Sequence, residues 1–410
     1  MKALVFENSL PRLAATKLLS VLTSQAFVGP LAPLQMREIP DPPILAPDWV
    51  VIRTRLCGLC GSDYKQVFLN GATDNAMTAF ISFPQVLGHE VVGVIEQVGP
   101  AVRQRRVGER VVLNPWLSCR PRGLEACEWC RAGQFAQCEN FTRGHLSPGI
   151  HSGNSRQATG GFAPRLPAHE SQCIPVPGDV SDEAAVLADP FAVSFHSLRK
   201  RTPQDGAVVL VYGCGTLGLL SIAMLRVLHP TVRVLAIARF PHQQRLAESL
   251  GAWRVLRPRP TGALVVQIGE LIGSEVHKPW RGLPVLNRGV DVIYDSVGSP
   301  ESIEVGVRVT RSRGAIVVTG VEKPRRFEWT PLYFKEIALL GSNAFGLEEV
   351  DGRRQHAFDW YFEFLREKKL DVTSLLTHRF SLSQYREAFL SCRDQGESGA
   401  VKVFFDHTNP

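Results

Sequence analysis

The sequence predicts an α/β protein in two parts, a β-rich unit and a doubly wound parallel-sheet unit. Two textures along the 410 residues predict it. The first third carries short β-branched runs at 49–55 (WVVIRTR), 90–98 (EVVGVIEQV) and 110–113 (RVVL), separated by Gly and Pro, which reads as an all-β unit. From Gly206 onward, strand-like runs (AVVLVYG, VRVLAIA, GVDVIYDSVG, GAIVVTGV) alternate with helix-like runs at 217–228, 243–250 and 302–310, as the βαβ units of a parallel sheet require. Between the two textures, residues 139–161 lack periodicity and have loop composition. The second texture ends near Gly341; beyond it the pattern predicts an amphipathic helix over 353–368 and a closing strand over 400–405.

Composition narrows the function classes. Apolar residues at 44%, charged residues at 21% and 28 scattered prolines describe a globular chain and exclude disordered and fibrous ones. The most apolar long stretch, 207–228, is interrupted by Gly213, Gly215, Gly218 and Arg226, so no membrane span is expected. The amino terminus lacks the pattern of a signal peptide, so the expected location is cytoplasmic. A net charge of +7 asks for an anionic partner such as nucleic acid, a membrane surface or a phosphorylated cofactor. Six of the nine cysteines (Cys57, Cys60, Cys119, Cys127, Cys130, Cys138) fall between 57 and 138, while Cys173, Cys214 and Cys392 stand apart. An odd count without an export signal argues for metal ligation or buried thiols over disulfides.

The second unit opens with a dinucleotide signature. In GAVVLVYGCGTLG, residues 206–218, an apolar strand runs into Gly213, Gly215 and Gly218 and then into an apolar helix. The glycines allow a tight turn and close backbone approach, and the helix amino terminus attracts a pyrophosphate. Thr216 and Leu217 lie within the turn. An NAD site would carry an acidic residue at the end of the second strand, to hold the adenosine ribose. Here VRVLAIA is followed by Arg239, with Arg245 beyond. The missing carboxylate and the guanidinium favour a 2′-phosphate, so NADP(H) is expected over NAD(H), the alternative being that Arg239 stacks on the adenine or faces solvent.

Two sets of residues have metal chemistry. Cys119, Cys127, Cys130 and Cys138 form C-x7-C-x2-C-x7-C, which suits a closed tetrahedral zinc site of structural type in a lobe over about 115–140. Cys60 in CGLCGSD, His89 and Glu90 in LGHE, and Asp189 in LADPFAVSFH supply one thiol, one imidazole and carboxylates, the make-up of a catalytic zinc site with an open position.

These motifs, with VGERV, GGFA at 160–163, DSVGS at 295–299 and KEIALLGS at 335–342, resemble zinc-dependent medium-chain dehydrogenases/reductases, the group of alcohol, sorbitol and threonine dehydrogenases. The resemblance covers nearly the whole chain. It implies a GroES-like catalytic domain over 1–195, a Rossmann cofactor domain over 196–342 and a return to the catalytic domain over 343–410, with the active site in the cleft between them. It assigns Cys60 and His89 as catalytic zinc ligands, with Asp189 or Glu90 completing the set. It makes Ser62 the hydroxyl on the substrate oxygen and Asp63 the carboxylate that orients the zinc-binding histidine. Val297 and Lys402 join Arg239 and Arg245 as expected cofactor contacts. The implied chemistry is hydride transfer between an alcohol, aldehyde or ketone and the nicotinamide, in a homodimer or homotetramer with two zinc ions per chain.

Three departures from the family pattern stand out. Lys65 occupies the place of a frequent relay histidine, the insert at 121–125 (PRGLE) lengthens the first gap of the cysteine lobe, and 68–83 forms a long segment expected to cover the pocket. Trp116 and the loop with His145 and His151 are also expected to line it. A zinc module for nucleic acid is the alternative of a different class. Eight arginines against four glutamates in 101–150 favour it. The lack of interleaved aromatics and the unexplained glycine turn weigh against it, so neither nucleic acid nor membrane is expected as a partner.

Overall fold

The computed structural model describes residues 1–71, 75–322 and 326–408, so 72–74 of the expected covering segment lie outside the described residues. The chain divides into two compact units: Met1–Asp189 with Phe358–Arg366 and Thr373–Pro410, and Pro190–Ala357 with Glu367–Val372.

In the first unit the β-branched runs pair into a seven-stranded sheet. Its order is Leu376–Ser381, Lys402–Asp406, Trp49–Gly58, Glu90–Val98, Arg110–Leu113 and Cys173–Pro175, and Arg165–His169 pairs with the first half of Trp49–Gly58. Residues 49–52 are buried at every position, so both faces of that strand are covered. Val50, Ile52, Val91, Ile95, Val111 and Phe405 meet in one apolar core. A three-stranded sheet of Leu34–Glu38, Lys2–Phe6 and Gln85–Val86 joins it. Gly58 stands opposite Glu90 on one side and Phe404 on the other. A Cβ there would lie 2.0 Å from Glu90 Oε2, so the glycine leaves the room that the Glu90 side chain fills.

The second unit is a six-stranded, wholly parallel sheet in the order Arg254–Leu256, Arg233–Ile237, Val208–Tyr212, Val290–Asp295, Thr310–Val318 and Ala338–Gly341. The winding reverses between Val208–Tyr212 and Val290–Asp295, and crevices for ligands open at such reversals, at the carboxyl ends of the strands.

Three elements differ from expectation. The helix predicted over 353–368 is a strand, Arg353–His356, followed by a helix, Ala357–Arg366. Asp351 and Gly352 both have positive φ, 49° and 76°, and turn the chain so that Leu347–Val350 pairs with Arg353–His356 as a hairpin. The β-rich unit also contains a helix, Leu10–Leu19, which opens with a proline in its first turn. A short hairpin, Val276–His277 with Val285–Leu286, lies between two elements of the parallel-sheet unit. Among the described residues no helix is long and apolar enough to cross a membrane.

Candidate metal and cofactor sites

Cys60 ends the run that follows Trp49–Gly58 and stands at the N-cap of the helix Gly61–Val67. Asp63, in the first turn, accepts a hydrogen bond from the Cys60 backbone N–H at 3.0 Å and places its other oxygen 4.0 Å from His89 Nδ1. His89 and Glu90 lead into Glu90–Val98, next to Trp49–Gly58 in the sheet. Ligand atoms of Cys60, His89 and Glu90 all lie within 4.8 Å of one another. Ser62 is exposed at the start of the same helix.

Asp189 is buried, and its Oδ2 has no hydrogen-bond partner among the described residues. Burial raises its pKa to about 7, with Glu90 and Asp63 adding to the rise and His89 and Lys402 opposing it. His89 is held above the usual imidazole range: burial disfavours its charge, but Cys60, Asp63 and Asp189 outweigh that. The set that converges is Cys60, His89 and Glu90, and Asp189 is not among the groups within 4.8 Å of it; a thiol, an imidazole and a carboxylate fit a divalent cation such as zinc.

The four other cysteines converge in the same unit, their sulfurs within 4.8 Å of one another. Four sulfurs about 2.3 Å from one zinc stand roughly 3.8 Å apart, so the spacing suits the ion. Cys127 N–H donates to Cys119 Sγ at 3.3 Å, Asn140 N–H to Cys138 Sγ at 3.4 Å and the Asn140 amide to Cys119 Sγ at 3.2 Å. Hydrogen bonds of this kind favour thiolates. The Cys138 sulfur beside it is the largest cause holding Cys130 down to about 5.

In the parallel-sheet unit, Val208–Tyr212 runs into Gly213 at φ +91°, and Gly215 caps the helix Thr216–Leu228. A Cβ on Gly218 would lie 1.8 Å from the Gly213 carbonyl oxygen, and one on Gly213 would lie 2.5 Å from Val297 Cγ2. Val297 therefore packs on the turn. Ser296 Oγ ties it down by donating to the Tyr212 and Gly213 carbonyls at 3.1 and 2.9 Å. Arg239 is exposed and lies 5.2 Å from the Phe240 ring, and Arg245 is exposed on the helix Pro241–Ser249.

Residues 46–178 match the alcohol dehydrogenase GroES-like domain, and residues 216–363 match the zinc-binding dehydrogenase domain. The chain belongs to the zinc-dependent medium-chain dehydrogenase family. Over 367 residues, 89% of each protein, it is 28% identical to L-idonate 5-dehydrogenase of Vitis vinifera. It is also 28% identical to L-threonine 3-dehydrogenase of Chelativorans sp., over 90% of this chain and 94% of that one. The crystal structure of 2R,3R-butanediol dehydrogenase from Bacillus subtilis has the same fold, with a TM-score of 0.72, 23% identity and 99% of each chain covered.

Several residues of this dehydrogenase lie where sequence reasoning did not put them. Lys402, expected among the cofactor contacts, lies on the returning segment in the unit of the metal sets, and its side chain is buried. It pairs with Glu90 and donates to the Leu59 carbonyl at 3.1 Å, because the closing strand lies beside Trp49–Gly58. Burial disfavours its charge, yet Glu90 and Cys60 raise its pKa above the usual value. Arg122, inside the PRGLE insert, is 1% exposed and donates to five carbonyls, those of Leu117, Arg143, Leu146, Ser147 and Gly149, at 2.7 to 3.2 Å. Arg257 follows the strand Arg254–Leu256, which pairs with Arg233–Ile237, so it emerges beside Arg239 at the same sheet end. The signal for it was there, a basic residue after the third strand. His151 lies with its ring 4.5 Å from that of His89, and its pKa is pushed down to about 3 by burial and then by the His89 charge.

Proposed function

We propose that this dehydrogenase transfers a hydride between an alcohol or carbonyl substrate and NADP(H), with one zinc ion at a catalytic set and one in the cysteine lobe. The observation that carries the cofactor choice is the basic corner at the ends of two adjacent strands. Arg239 and Arg257 follow them, Arg245 projects from the next helix, and no carboxylate follows Arg233–Ile237 before residue 248. A 2′-phosphate would pair there, whereas a bare ribose would find no carboxylate for its hydroxyls.

Bound zinc supplies a Lewis acid that lowers an alcohol's pKa, and bound nicotinamide supplies the hydride acceptor. Cys60, His89 and Asp189 would hold the catalytic metal. Glu90 lies in the converging set but has its charge balanced by Lys402, while Asp189, outside that set, keeps one buried oxygen without a hydrogen-bond partner. Asp63, facing His89 Nδ1, orients the ring so that its other nitrogen is the ligand. Ser62 carries the substrate proton onward. Gly213, Gly215, Thr216, Leu217 and Gly218 would receive the pyrophosphate at the helix amino terminus, with Val297 packing against the bound cofactor. Cys119, Cys127, Cys130 and Cys138 would hold the second ion, fixing a lobe that has little regular structure.

All nine cysteines are free, which supports a reducing compartment such as the cytoplasm. Exposed Tyr333, Phe334 and Leu339, at and before the edge strand Ala338–Gly341, support assembly into a homo-oligomer through the parallel-sheet unit.

The test is kcat/KM for NADP and NAD over a panel of alcohols, in wild type and Arg239→Ala. Wild type should prefer NADP, and the substitution should reduce that preference about tenfold or more. An unchanged ratio would sink the assignment of Arg239.

A further inference from the structure

We propose that the parallel-sheet unit carries a second nucleotide site, separate from the glycine turn, which takes a free nucleoside monophosphate. Its base stacks on Trp280, and its phosphate pairs with Arg259, Lys278 and Arg281.

The site is a cavity of about 680 Å³ between the helix Thr261–Ile272 and the hairpin of Val276–His277 with Val285–Leu286. That volume lies within the roughly 300–1,000 Å³ of small-molecule sites. No residue of the glycine turn lines it, and neither do Arg239, Arg245, Arg257 or Val297.

Two glycines on one face of the helix let the hairpin come close. A Cβ on Gly269 would lie 2.8 Å from Val276 Cγ2 and 2.9 Å from Leu286 Cδ2, and one on Gly262 would meet Leu283 and Pro284 at 3.4 Å. The returning side of the hairpin is held by buried cations of other elements. Arg308 donates to the Leu283 carbonyl at 2.7 Å, and Lys335 donates to the Leu286 carbonyl at 3.1 Å. Residues 278–283 project from this anchored base and are exposed throughout.

The chemistry of the lining selects the ligand. Trp280 is wholly exposed, a flat apolar face that a nucleobase would cover. Arg259, Lys278 and Arg281 line the same cavity, and no described residue gives them a hydrogen bond or an ion pair. Glu270 is the single carboxylate among the lining residues, so three cations less one anion leave +2, which matches the charge of about −2 on a phosphate monoester. Glu275, on the approach to the hairpin, stands 3.8 Å from His277 and outside the lining. A simple oxyanion would leave the indole uncovered, and a neutral ring would leave the cations unpaired. A base and a phosphate in one small molecule answer both.

Equilibrium dialysis of AMP against the zinc-loaded protein tests this in wild type, Trp280→Leu and Arg281→Glu. Both side chains are exposed, so each variant should melt as wild type does. AMP affinity should fall about tenfold or more in each variant, while KM for the dinucleotide cofactor stays unchanged in both. Ribose 5-phosphate and adenosine should each bind wild type at least about tenfold more weakly than AMP. AMP should quench tryptophan fluorescence in wild type more than in Trp280→Leu. Equal AMP affinity in all three proteins overturns the site, since the glycine turn then accounts for the binding, and a wild type that binds no AMP overturns it as well. A cofactor KM that rises in step with the loss of AMP overturns its separateness. Ribose 5-phosphate binding as tightly as AMP overturns the stacked base, and a short oligoadenylate binding more tightly than AMP overturns the free nucleotide as the occupant.

Discussion

Arg122 occupies the interior of the cysteine lobe as a fully donating cation, its five N–H groups matched to five backbone carbonyls. Burial lowers its pKa to about 10, and the Cys138 and Cys119 sulfurs oppose that fall. Arg122→Met would leave those carbonyls buried without donors and should cost about 3–5 kcal/mol, measured by urea unfolding of the zinc-loaded protein. Arg122→Lys should rescue little of it, since an ammonium has three donors and no fork. The buried Glu90–Lys402 pair makes a second residue-scale case. Lys402→Met should destabilise by about 3–5 kcal/mol, and Glu90→Leu combined with it by less, a coupling that a double-mutant cycle reads. The convergence of the four lobe cysteines, and of Cys60 with His89, was legible in the sequence because few residue types suit zinc and their spacing is constrained. Arg122 and Lys402 were not: an arginine in a polar insert reads as solvated, and the partner of a lysine on a closing strand depends on a pairing that sequence does not display.

At the scale of elements, the glycine turn was fully legible, since strand, glycines and helix adjoin in sequence and the steric need is local. Gly218→Ala would drive a methyl group into the Gly213 carbonyl. It should push the helix away from the strand and weaken NADPH binding at least about tenfold by fluorescence quenching, with the metal content unchanged. The 353–368 segment shows the opposite case. Its apolar spacing continues through Ala357–Arg366, but the Asp351–Gly352 turn pulls the first four residues into a hairpin, and that signal is a dipeptide rather than a period. The loop over 139–161 has no helix or strand of its own and leans on the cysteine lobe through Arg122 and Asn140. Replacing a cysteine of the lobe, as in Cys130→Ser, should therefore raise amide exchange across 143–151 well before the seven-stranded sheet opens.

For the whole molecule, the two textures of the sequence became two units because each satisfies its backbone differently. Short β-branched runs close a mostly antiparallel sheet, and alternating strands and helices wind a parallel one. The excursions of the chain between units, at 358–366 and 367–372, were beyond the reach of sequence pattern because they depend on long-range packing. The basic balance of +7 is distributed as this division suggests, part of it beside the thiol lobe at Arg122 and part at the corner of Arg239, Arg245 and Arg257. Two separate groups of potential metal ligands lie in the first unit, and the proposed catalytic set takes its third ligand from Asp189. Zinc content per chain in Asp189→Asn, set beside wild type, tests it most directly. The variant should lose one zinc equivalent and keep the cysteine-lobe ion; an unchanged zinc content would overturn Asp189 as a ligand.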